Sequence, residues 1–347
     1  MKAEYKKHIL TFKQPGGTSR GILTEKETWL LRITHNGKTG IGECGLLRGL
    51  SVDDTPGYEK KLQWVCQNIE LGKDTLWKTL EAFPSLQFGV EQAFISLESE
   101  NPFLLFPSEF TSGAASIPIN GLIWMGNETF MKRQIGEKLE AGFNCIKMKI
   151  GAIDFETEVK LLTSLRKDFS PEEIEIRVDA NGAFSPREAL EKLHRLADLE
   201  LHSIEQPILP RQWEAMAELC EVSPVPVALD EELIGIFHSA EKEKMLHTLK
   251  PQYIILKPSL TGGFKGAEEW IALARNTGTR WWITSALESN VGLNAIAQWT
   301  FTLSPRMPQG LGTGSLFVNN FISPLTVKNG RLHYLCNRKW NFNLFDQ

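Results

Sequence analysis

The first hundred residues carry an alternation of apolar and polar side chains that is typical of β-strands and then gives way to a helical period. Three alternating stretches, at residues 5–12, 28–34 and 39–44, predict strands with one buried face. Between the last two, Asn36 and Gly37 predict a tight hairpin, because this pair accepts positive φ. Apolar residues then recur with helical spacing around 58–71 and 90–98. These features predict an antiparallel meander followed by helices.

From about residue 116 onward, short β-rich runs alternate with amphipathic helical stretches. The strands are expected at 117–120, 145–149, 174–179, 202–205, 227–230, 253–257, 281–285 and near Gly310. The helices between them are expected at 130–141, 155–166, 186–198, 212–220, 241–249, 264–276 and 292–300. Strands and helices that alternate through right-handed crossovers close into a parallel barrel wrapped by helices.

The last stretch of the chain departs from this rhythm. Residues 324–345 contain a second Asn-Gly pair, Asn329 and Gly330, which predicts another hairpin. We expect this segment to return to the amino-terminal meander. The predicted fold is therefore an α/β (β/α)7β TIM-like barrel with an α+β capping domain. The predicted boundaries are 1–112 for the cap, 113–320 for the barrel and 321–347 for the returning segment.

Composition narrows the class of protein without indicating a reaction. The 347 residues are 42% hydrophobic and 23% charged, with a net charge of -4, so no nucleic-acid partner is expected. The five cysteines are scattered without a CxxC pair, which argues against a disulfide framework and a zinc knuckle and fits a reducing cytoplasm. Neither a secretory leader nor a long uncharged apolar window is evident, so we expect a cytoplasmic protein with no membrane partner. The pattern carries no signal for an oligomeric state.

A charged residue closes each of five successive apolar runs in the predicted barrel. These residues are Lys149, Asp179, Glu205, Asp230 and Lys257. Subtracting neighbouring positions gives intervals of 30, 26, 25 and 27 residues, which is the length of one strand, one helix and two loops. Each strand therefore places one charge at the carboxyl-terminal mouth of the barrel, where active sites of this architecture lie.

Three carboxylates on adjacent strands, those of Asp179, Glu205 and Asp230, repel one another unless a cation lies between them. A ligand set of oxygens, without clustered His or Cys, favours a hard ion. The expected cofactor is therefore Mg2+, which Mn2+ could replace. The expected partner is a small-molecule carboxylate that contacts this metal.

Lysines on both sides of the carboxylates predict proton transfer. Lys147 and Lys149 lie two apart on one strand, so both point into the barrel, and Lys257 faces them across the metal. The cation and the neighbouring lysines are expected to depress a lysine pKa, which would provide a neutral amine as a base. Arg177 lies two residues before Asp179 and also points inward, where it could hold a substrate carboxylate.

Each of these residues has a plainer interpretation when it is taken alone. An Asp after a strand is often a helix N-cap, Glu205 could simply end its strand, and Lys257 could be solvated. Five charges in register have no such structural explanation. Ser285 and Ser289 could contact substrate or could equally cap the next helix. Gly312, in a GLGTG run, favours close backbone approach to a small ligand over a phosphate-binding loop.

Together these motifs resemble the enolase superfamily, in its muconate-lactonizing branch. The resemblance covers about residues 115–320 and rests on KMK, the Asp of VDANG, the Glu of IEQP, the Asp of ALDEE and the Lys of LKPS. Within that branch, SALESNVGLNAIAQW followed by GLGTGSLF is similar to the o-succinylbenzoate synthases of menaquinone biosynthesis, and PSLQFGVEQA fits their capping-domain helix. Dipeptide epimerases of the branch carry an Asp-x-Asp at the eighth strand, whereas Gly312, Thr313 and Gly314 carry no charge.

The resemblance implies a Mg2+-dependent syn-dehydration of 2-succinyl-6-hydroxy-2,4-cyclohexadiene-1-carboxylate to 2-succinylbenzoate, through a metal-stabilised enediolate. The implied metal ligands are Asp179, Glu205 and Asp230. Lys149 would remove the α-proton and then protonate the departing hydroxide, Lys257 would stabilise the intermediate by its charge, and Lys147 would support Lys149. A loop near Ser19 and Arg20 is expected to close over the site and contact the substrate.

Alternatives remain open from the sequence. The same site could serve an N-acylamino-acid racemase or a muconate-type cycloisomerase, since proton abstraction next to a carboxylate is common to all of them. A metal-free aldolase could use Lys149 or Lys257 as an imine-forming nucleophile. A barrel that has lost catalysis and acts as a binding module is disfavoured, because all five charges are present.

Overall fold

The computed structural model describes residues 1–18 and 21–346 and begins with a three-stranded antiparallel sheet. Its strands are β1 (Lys2–Thr18), β2 (Gly21–His35) and β3 (Lys38–Cys44), in that order across the sheet. Asn36, with φ of 49°, and Gly37, with φ of 77°, form the turn between β2 and β3. The hairpin predicted from this pair is therefore confirmed.

Helices cover one face of this sheet. They are α1 (Tyr58–Gln67), α2 (Lys73–Thr79) and α3 (Pro84–Glu98). Their apolar side chains form a buried cluster with Trp29, Leu31 and Ile33, which share one face of β2 because strand side chains alternate. The helix α3 packs closely on β3 because β3 has glycine at positions 40 and 42. A Cβ at Gly40 or Gly42 would collide with a carbonyl oxygen of α3. The first part of the chain is therefore an α+β unit with its own core.

A short strand, β4 (Ser116–Pro118), leads into the barrel, whose wall consists, within the described residues, of seven parallel strands in chain order. These strands are β5 (Gly121–Ile123), β6 (Cys145–Lys149), β7 (Glu175–Asp179), β8 (Ser203–Glu205), β9 (Val227–Leu229), β10 (Tyr253–Leu256) and β11 (Arg280–Ile283). The alternating helices are α4 (Glu128–Glu140), α5 (Phe155–Asp168), α6 (Pro186–Ala197), α7 (Trp213–Val222), α8 (Ser239–Leu249), α9 (Pro258–Thr261), α10 (Gly263–Thr277) and α11 (Asn290–Thr302). No helix in the described ranges combines the length and the apolarity that crossing a bilayer requires.

Gln309 and Gly310 take the eighth place in the barrel wall. Gln309 forms a parallel bridge with Ile119, and Gly310 forms one with Thr284, so both ends of the sheet meet at this pair. The predicted (β/α)7β TIM-like barrel with a capping domain is confirmed. The predicted first strand, at 117–120, is shifted, because β4 pairs outside the barrel and the first barrel strand is β5.

Strand alternation decides which side chains enter the barrel. On β6, Ile146 and Met148 are buried in the layer between strands and helices, where α6 contributes Leu193. Lys147 and Lys149 point the other way and line the interior of the barrel mouth. The apolar faces of the helices therefore pack against the outside of the barrel wall, and polar side chains of β6 point into the barrel interior.

The C-terminal segment contacts the cap at both of its ends. Val318 donates its backbone N–H to Thr11 of β1 over 2.9 Å, and the ring of Trp340 stacks on Phe103 with 4.2 Å between centroids. Between these contacts, β12 (Leu325–Lys328) and β13 (Arg331–Tyr334) form the predicted hairpin, which pairs with β4. The segment therefore lies against both units, and the domain boundaries at 112 and 320 stay predictions.

Candidate active site

Charged side chains from adjacent strands meet at the mouth of the barrel. The strand register pairs Lys149 of β6 with Asp179 of β7, and Asp179 with Glu205 of β8. Asp230 directly follows β9, and Lys257 directly follows β10. Because parallel strands end on the same side of a barrel, all five residues lie at its carboxyl-terminal mouth. The three carboxylates are at most 2% exposed.

Both lysines of β6 form ion pairs with the carboxylates of the next strands. Lys147 Nζ lies 2.9 Å from Asp179 Oδ2 and also forms an ion pair with Glu205. Lys149 Nζ lies 3.0 Å from the same oxygen of Asp179. The two amines therefore share one carboxylate, which places them side by side at the end of their strand.

Lys257 forms an ion pair with Asp230. Burial disfavours the charged form of Lys257, but attraction by Asp230 and Glu205 outweighs it and raises the lysine pKa. For Lys147, burial is likewise outweighed by Asp179 and Glu205, and the pKa is raised. A depressed lysine pKa was expected from sequence next to a bound cation, and that expectation stays a prediction. Both pKa values are raised because the nearest charged partners of the two lysines are carboxylates.

The pKa values of two buried carboxylates, those of Asp179 and Glu205, shift in opposite directions. Burial favours the neutral form of Asp179, but Lys147 and Lys149 outweigh burial and hold its pKa well below the usual range. Burial, together with the charge of Asp179, raises the pKa of Glu205 to about 8. Within the described chain, the buried Oε1 of Glu205 has no hydrogen-bond partner. An unpaired buried carboxylate oxygen is unfavourable, so this position suits a cation.

A metal at the barrel mouth would draw on Asp179, Glu205 and Asp230. All their donors are carboxylate oxygens, which is the set that Mg2+ prefers. Across residues 1–18 and 21–346, no three acidic, His or Cys side chains converge as a preformed metal site. Lysines hold all three carboxylates in ion pairs. The donor set therefore fits a hard divalent cation.

A cavity opens beside these charges, between the cap and the barrel. Its polar wall includes Lys149, Asp179 and Lys257, and its apolar wall includes Trp124 from the barrel. The cap supplies the leucines Leu23, Leu47 and Leu50. Because one wall is charged and the other apolar, the cavity suits a small molecule that carries both a carboxylate and an apolar ring or chain.

Asn181 lines the same cavity and was missed in the sequence analysis. Lys149 donates from Nζ to Asn181 Oδ1 over 2.7 Å, and Asn181 Nδ2 donates to Glu231 Oε1 over 2.9 Å. Asn181 has φ of 45°, a conformation that Asn adopts more readily than most residues. The Asn-Gly pair of VDANG, just after the predicted metal ligand, is the signal that could have found it.

Two comparisons with known proteins identify the family. A family model described as "Enolase C-terminal domain-like" matches residues 131–335. The o-succinylbenzoate synthase of Desulfotalea psychrophila is 47% identical in an alignment that covers 96% of this chain and 98% of that protein. The chain belongs to the o-succinylbenzoate synthase family. The resemblance to the enolase superfamily that the motifs indicated is thereby confirmed.

Solved structures show the same fold. The crystal structure of MenC from Desulfotalea psychrophila has a TM-score of 0.85 and 44% sequence identity, and the match covers 96% of this chain and 99% of that chain. The o-succinylbenzoate synthase of Thermosynechococcus elongatus BP-1, complexed with Mg in its active site, has a TM-score of 0.72 at 23% identity and covers 89% and 92%. This o-succinylbenzoate synthase family member therefore has the barrel and cap of its relatives.

The weaker predictions for substrate contacts have different outcomes in this family member. Ser285 and Gly312 line the cavity, and Ser285 Oγ lies 2.6 Å from Thr313 Oγ1. These positions allow the predicted contacts. Ser19 and Arg20, predicted to lie on a closing loop, are outside the described residues.

Ser289 has a structural position instead. It is fully buried, and its Oγ accepts a hydrogen bond from the N–H of Val291 as the N-cap of α11. The same hydroxyl donates to Glu43 of the cap. The helix-capping interpretation therefore holds, and the predicted contact between Ser289 and substrate is not supported.

Arg177 lies below the site rather than in it. It is 1% exposed, and its Nε donates to Glu175 over 2.7 Å while a guanidinium N–H donates to the carbonyl oxygen of Pro308 over 3.0 Å. Its Cζ lies 4.3 Å from the ring centroid of Trp282. The guanidinium group of Arg177 is therefore bound by Glu175, Pro308 and Trp282 within the barrel. The predicted contact with a substrate carboxylate is not supported.

Proposed function

We propose that this chain is an o-succinylbenzoate synthase, which converts 2-succinyl-6-hydroxy-2,4-cyclohexadiene-1-carboxylate to 2-succinylbenzoate in menaquinone biosynthesis. The observation that carries the proposal is the 47% identity to the Desulfotalea psychrophila o-succinylbenzoate synthase, over 96% of this chain and 98% of that protein. Lysines beside a carboxylate cluster support it, because the reaction begins with removal of a proton next to a carboxylate.

Lys149 is the proposed base and acid. As a neutral amine, it takes the proton from the ring carbon that bears the carboxylate, and the electron pair of the C–H bond moves into the carboxylate. The protonated amine then gives this proton to the hydroxyl group on the neighbouring ring carbon. The C–O bond breaks, water leaves, and the returning electron pair completes the aromatic ring. One amine can make both transfers because the two groups leave from the same face.

Lys257 and Lys147 are proposed to act as cations. Each forms ion pairs with buried carboxylates, an environment that suits an ammonium group. Lys257 lies on the cavity wall and would stabilise the negative charge that builds on the substrate carboxylate. Lys147 holds the carboxylate of Asp179, to which Lys149 is also paired, and so supports the base in its position.

Asp179, Glu205 and Asp230 are the proposed ligands of a divalent cation, Mg2+, with Mn2+ as a substitute. When bound, the cation supplies positive charge that neutralises the substrate carboxylate. The Mg in the active site of the Thermosynechococcus elongatus BP-1 enzyme supports this choice. The unpaired buried Oε1 of Glu205 supports it independently.

The cavity walls are proposed to hold the rest of the substrate. Leu47 and Trp124 would pack against the ring and exclude water from the proton transfer. Ser285 and Gly312 are the proposed contacts of the succinyl arm, through a hydroxyl group and the backbone. The uncharged Gly312–Gly314 region suits an arm that carries no ammonium group.

The experiment that tests this function incubates the purified protein with Mg2+ and the cyclohexadiene carboxylate and follows 2-succinylbenzoate by absorbance and mass spectrometry. We expect a kcat/KM of roughly 10^4 M-1 s-1 or more. A panel of N-succinyl amino acids, followed by polarimetry, tests the racemase alternative. Efficient racemisation without formation of 2-succinylbenzoate would contradict the proposal.

A further inference from the structure

A buried charged cluster joins the cap to the barrel and has no part in the proton transfer described above. It consists of Lys26 on β2, Glu43 on β3 and Glu288 in the loop between β11 and α11. Lys26 is 4% exposed, and both glutamates are completely buried. Buried charges are costly unless they are paired and hydrogen-bonded, so the contacts of the two carboxylates indicate what this cluster holds in place.

Glu43 caps a helix of the other unit. Its carboxylate accepts hydrogen bonds from the backbone N–H of Ser289 over 2.8 Å and of Gly292 over 2.7 Å, at the start of α11. It also accepts from Thr28 Oγ1 of the neighbouring cap strand over 2.8 Å. A Cβ on Gly292 would lie only 3.0 Å from Glu43 Oε2. The absence of a side chain at Gly292 therefore lets the cap carboxylate reach the barrel helix.

Glu288 braces the loop that precedes this helix. Its Oε2 accepts from the backbone N–H of Ala286 over 2.7 Å, and its Oε1 accepts from Ser259 Oγ. Between Ala286 and Glu288 lies Leu287, with φ of 64°. A leucine in this left-handed region is an outlier that persists only when its surroundings hold it. Glu288 on one side and Glu43, through Ser289, on the other provide those surroundings.

The braced segment is a wall of the cavity. Ser285, Ala286 and Leu287 all line it, and Leu287 packs in a cluster with Phe12 of the cap and Phe317, which follows the eighth barrel position. A change in the backbone at Leu287 would therefore move side chains that line the cavity. The two glutamates are not among the described residues that line the cavity, and their hydrogen bonds hold this segment.

We propose that Glu43 and Glu288 are positioning residues that fix the Ser285–Ala286–Leu287 wall in its substrate-binding shape and couple that shape to the placement of the cap. The inference deepens the proposed function, on which it rests for the identity of the substrate. Lys26 places a cation next to both carboxylates, and burial, the largest influence on each group, lowers the pKa of Lys26 and raises that of Glu288. The hydrogen bonds of the cluster to the barrel are therefore those that its two carboxylates accept.

The test compares Glu43→Gln and Glu288→Gln with a matched control, Glu91→Gln. Glu91 of α3 is also a buried carboxylate of the capping domain. It binds the N-terminus of a barrel helix, accepting hydrogen bonds from the N–H of Phe264 over 2.6 Å and of Lys265 over 3.2 Å. The start of α10, where it binds, contributes none of the described residues that line the cavity. All three variants remove one acceptor and should lower the melting temperature.

Hydrogen exchange and kinetics separate positioning from general stability. In Glu43→Gln and Glu288→Gln we expect exchange of the 286–289 amides to accelerate about 10-fold. We expect kcat/KM to fall about 10-fold, mainly through a higher KM. In Glu91→Gln, faster exchange should be confined to the start of α10, and KM should stay within about twofold of the wild type.

Unchanged exchange at 286–289 in both variants, or a KM change equal to that of Glu91→Gln, would overturn the inference. Exchange is measured without substrate, so a wild-type protein that fails to make 2-succinylbenzoate would contradict the proposed function alone. If Glu43→Gln does not fold, Glu288→Gln decides, because it keeps the bonds between Glu43 and α11.

Discussion

The amine of Lys149 donates a hydrogen bond to the side-chain oxygen of Asn181 over 2.7 Å. The side-chain nitrogen of Asn181 donates in turn to Glu231 over 2.9 Å. Because an amide accepts at its oxygen and donates from its nitrogen, Glu231 decides which end of Asn181 faces Lys149. The proposed base is therefore held from a second side, in addition to its ion pair with Asp179.

Replacing Asn181 with Gly should remove this support without straining the backbone, because glycine accepts the φ of 45°. We expect kcat to fall about 10-fold to 100-fold, the order of effect seen when a group that orients an active-site ligand is lost. KM should change less than kcat, since Lys149 and the other residues that line the cavity remain. Steady-state kinetics measure both constants, and an unchanged kcat would show that Lys149 needs no support from Asn181.

Replacing Arg177 with Met should lower stability rather than substrate affinity. The change leaves Glu175 without its partner inside the barrel, and we expect the free energy of unfolding to fall by about 2 kcal/mol. Arg280→Met is the matched control, because Arg280 is exposed and its Cζ lies 4.4 Å from the ring centroid of Tyr253. Urea unfolding and KM are measured for both variants. A large rise in KM at unchanged stability would instead restore Arg177 as a substrate contact.

Asp53 should link the stability of the cap to pH. Burial raises its pKa from 3.8 to about 6, although Ser85 donates its N–H and its hydroxyl to Asp53 Oδ2. A carboxyl group with a raised folded pKa favours folding while it is protonated. Its contribution is fully present below the unfolded pKa and is lost as the pH rises through 6.

Relative to Asp53→Asn, the wild type should lose on the order of 1 kcal/mol of unfolding free energy between pH 5 and pH 7. Asn is the suitable reference because it keeps an acceptor for Ser85 and does not ionise. Urea unfolding of both proteins at each pH gives this difference. A difference that stays constant across the interval would contradict the raised pKa.

Removing divalent metal with EDTA should abolish turnover, and Mg2+ or Mn2+ should restore it. In Glu205→Gln the affinity for Mg2+, measured by calorimetry, should fall at least about 10-fold. Glu232→Gln is the matched control, because the Glu232 carboxylate is buried near Asp230 but already accepts from Arg211 and Trp213. Full activity in EDTA, with borohydride trapping of a lysine, would favour the metal-free aldolase.

Much of the fold could be predicted because each element carries its own local signal. Asn36 and Asn329 have positive φ in turns. Each turn could be predicted from its Asn-Gly pair alone, because the signal lies within four residues of sequence. The interval of 26 residues between Asp179 and Glu205 reflects one strand and one helix. The eighth position was correctly predicted near Gly310. The first barrel strand was misplaced, because the pairing of β4 with β13 depends on residues more than 200 positions away.

The site was predicted less completely, because strand alternation indicates a face but not a depth. Arg177 and Asp179 share a face, yet a step of two residues moves Arg177 about 6.6 Å along the strand, into the layer where Trp282 lies. The partner of Ser289 could not be inferred either, since Glu43 lies 246 residues earlier in the chain. Contacts of this kind depend on how the cap packs against the barrel, and a local sequence pattern contains no information about that packing.

If Lys149 transfers the proton in this reaction, its replacement by alanine should stop turnover. The measurement follows formation of 2-succinylbenzoate by the variant, with calorimetry of Mg2+ binding and thermal unfolding as controls. We expect a rate at least about 10^3-fold below that of the wild type, in a folded protein that still binds Mg2+. Turnover within about tenfold of the wild-type rate by such a protein would contradict it.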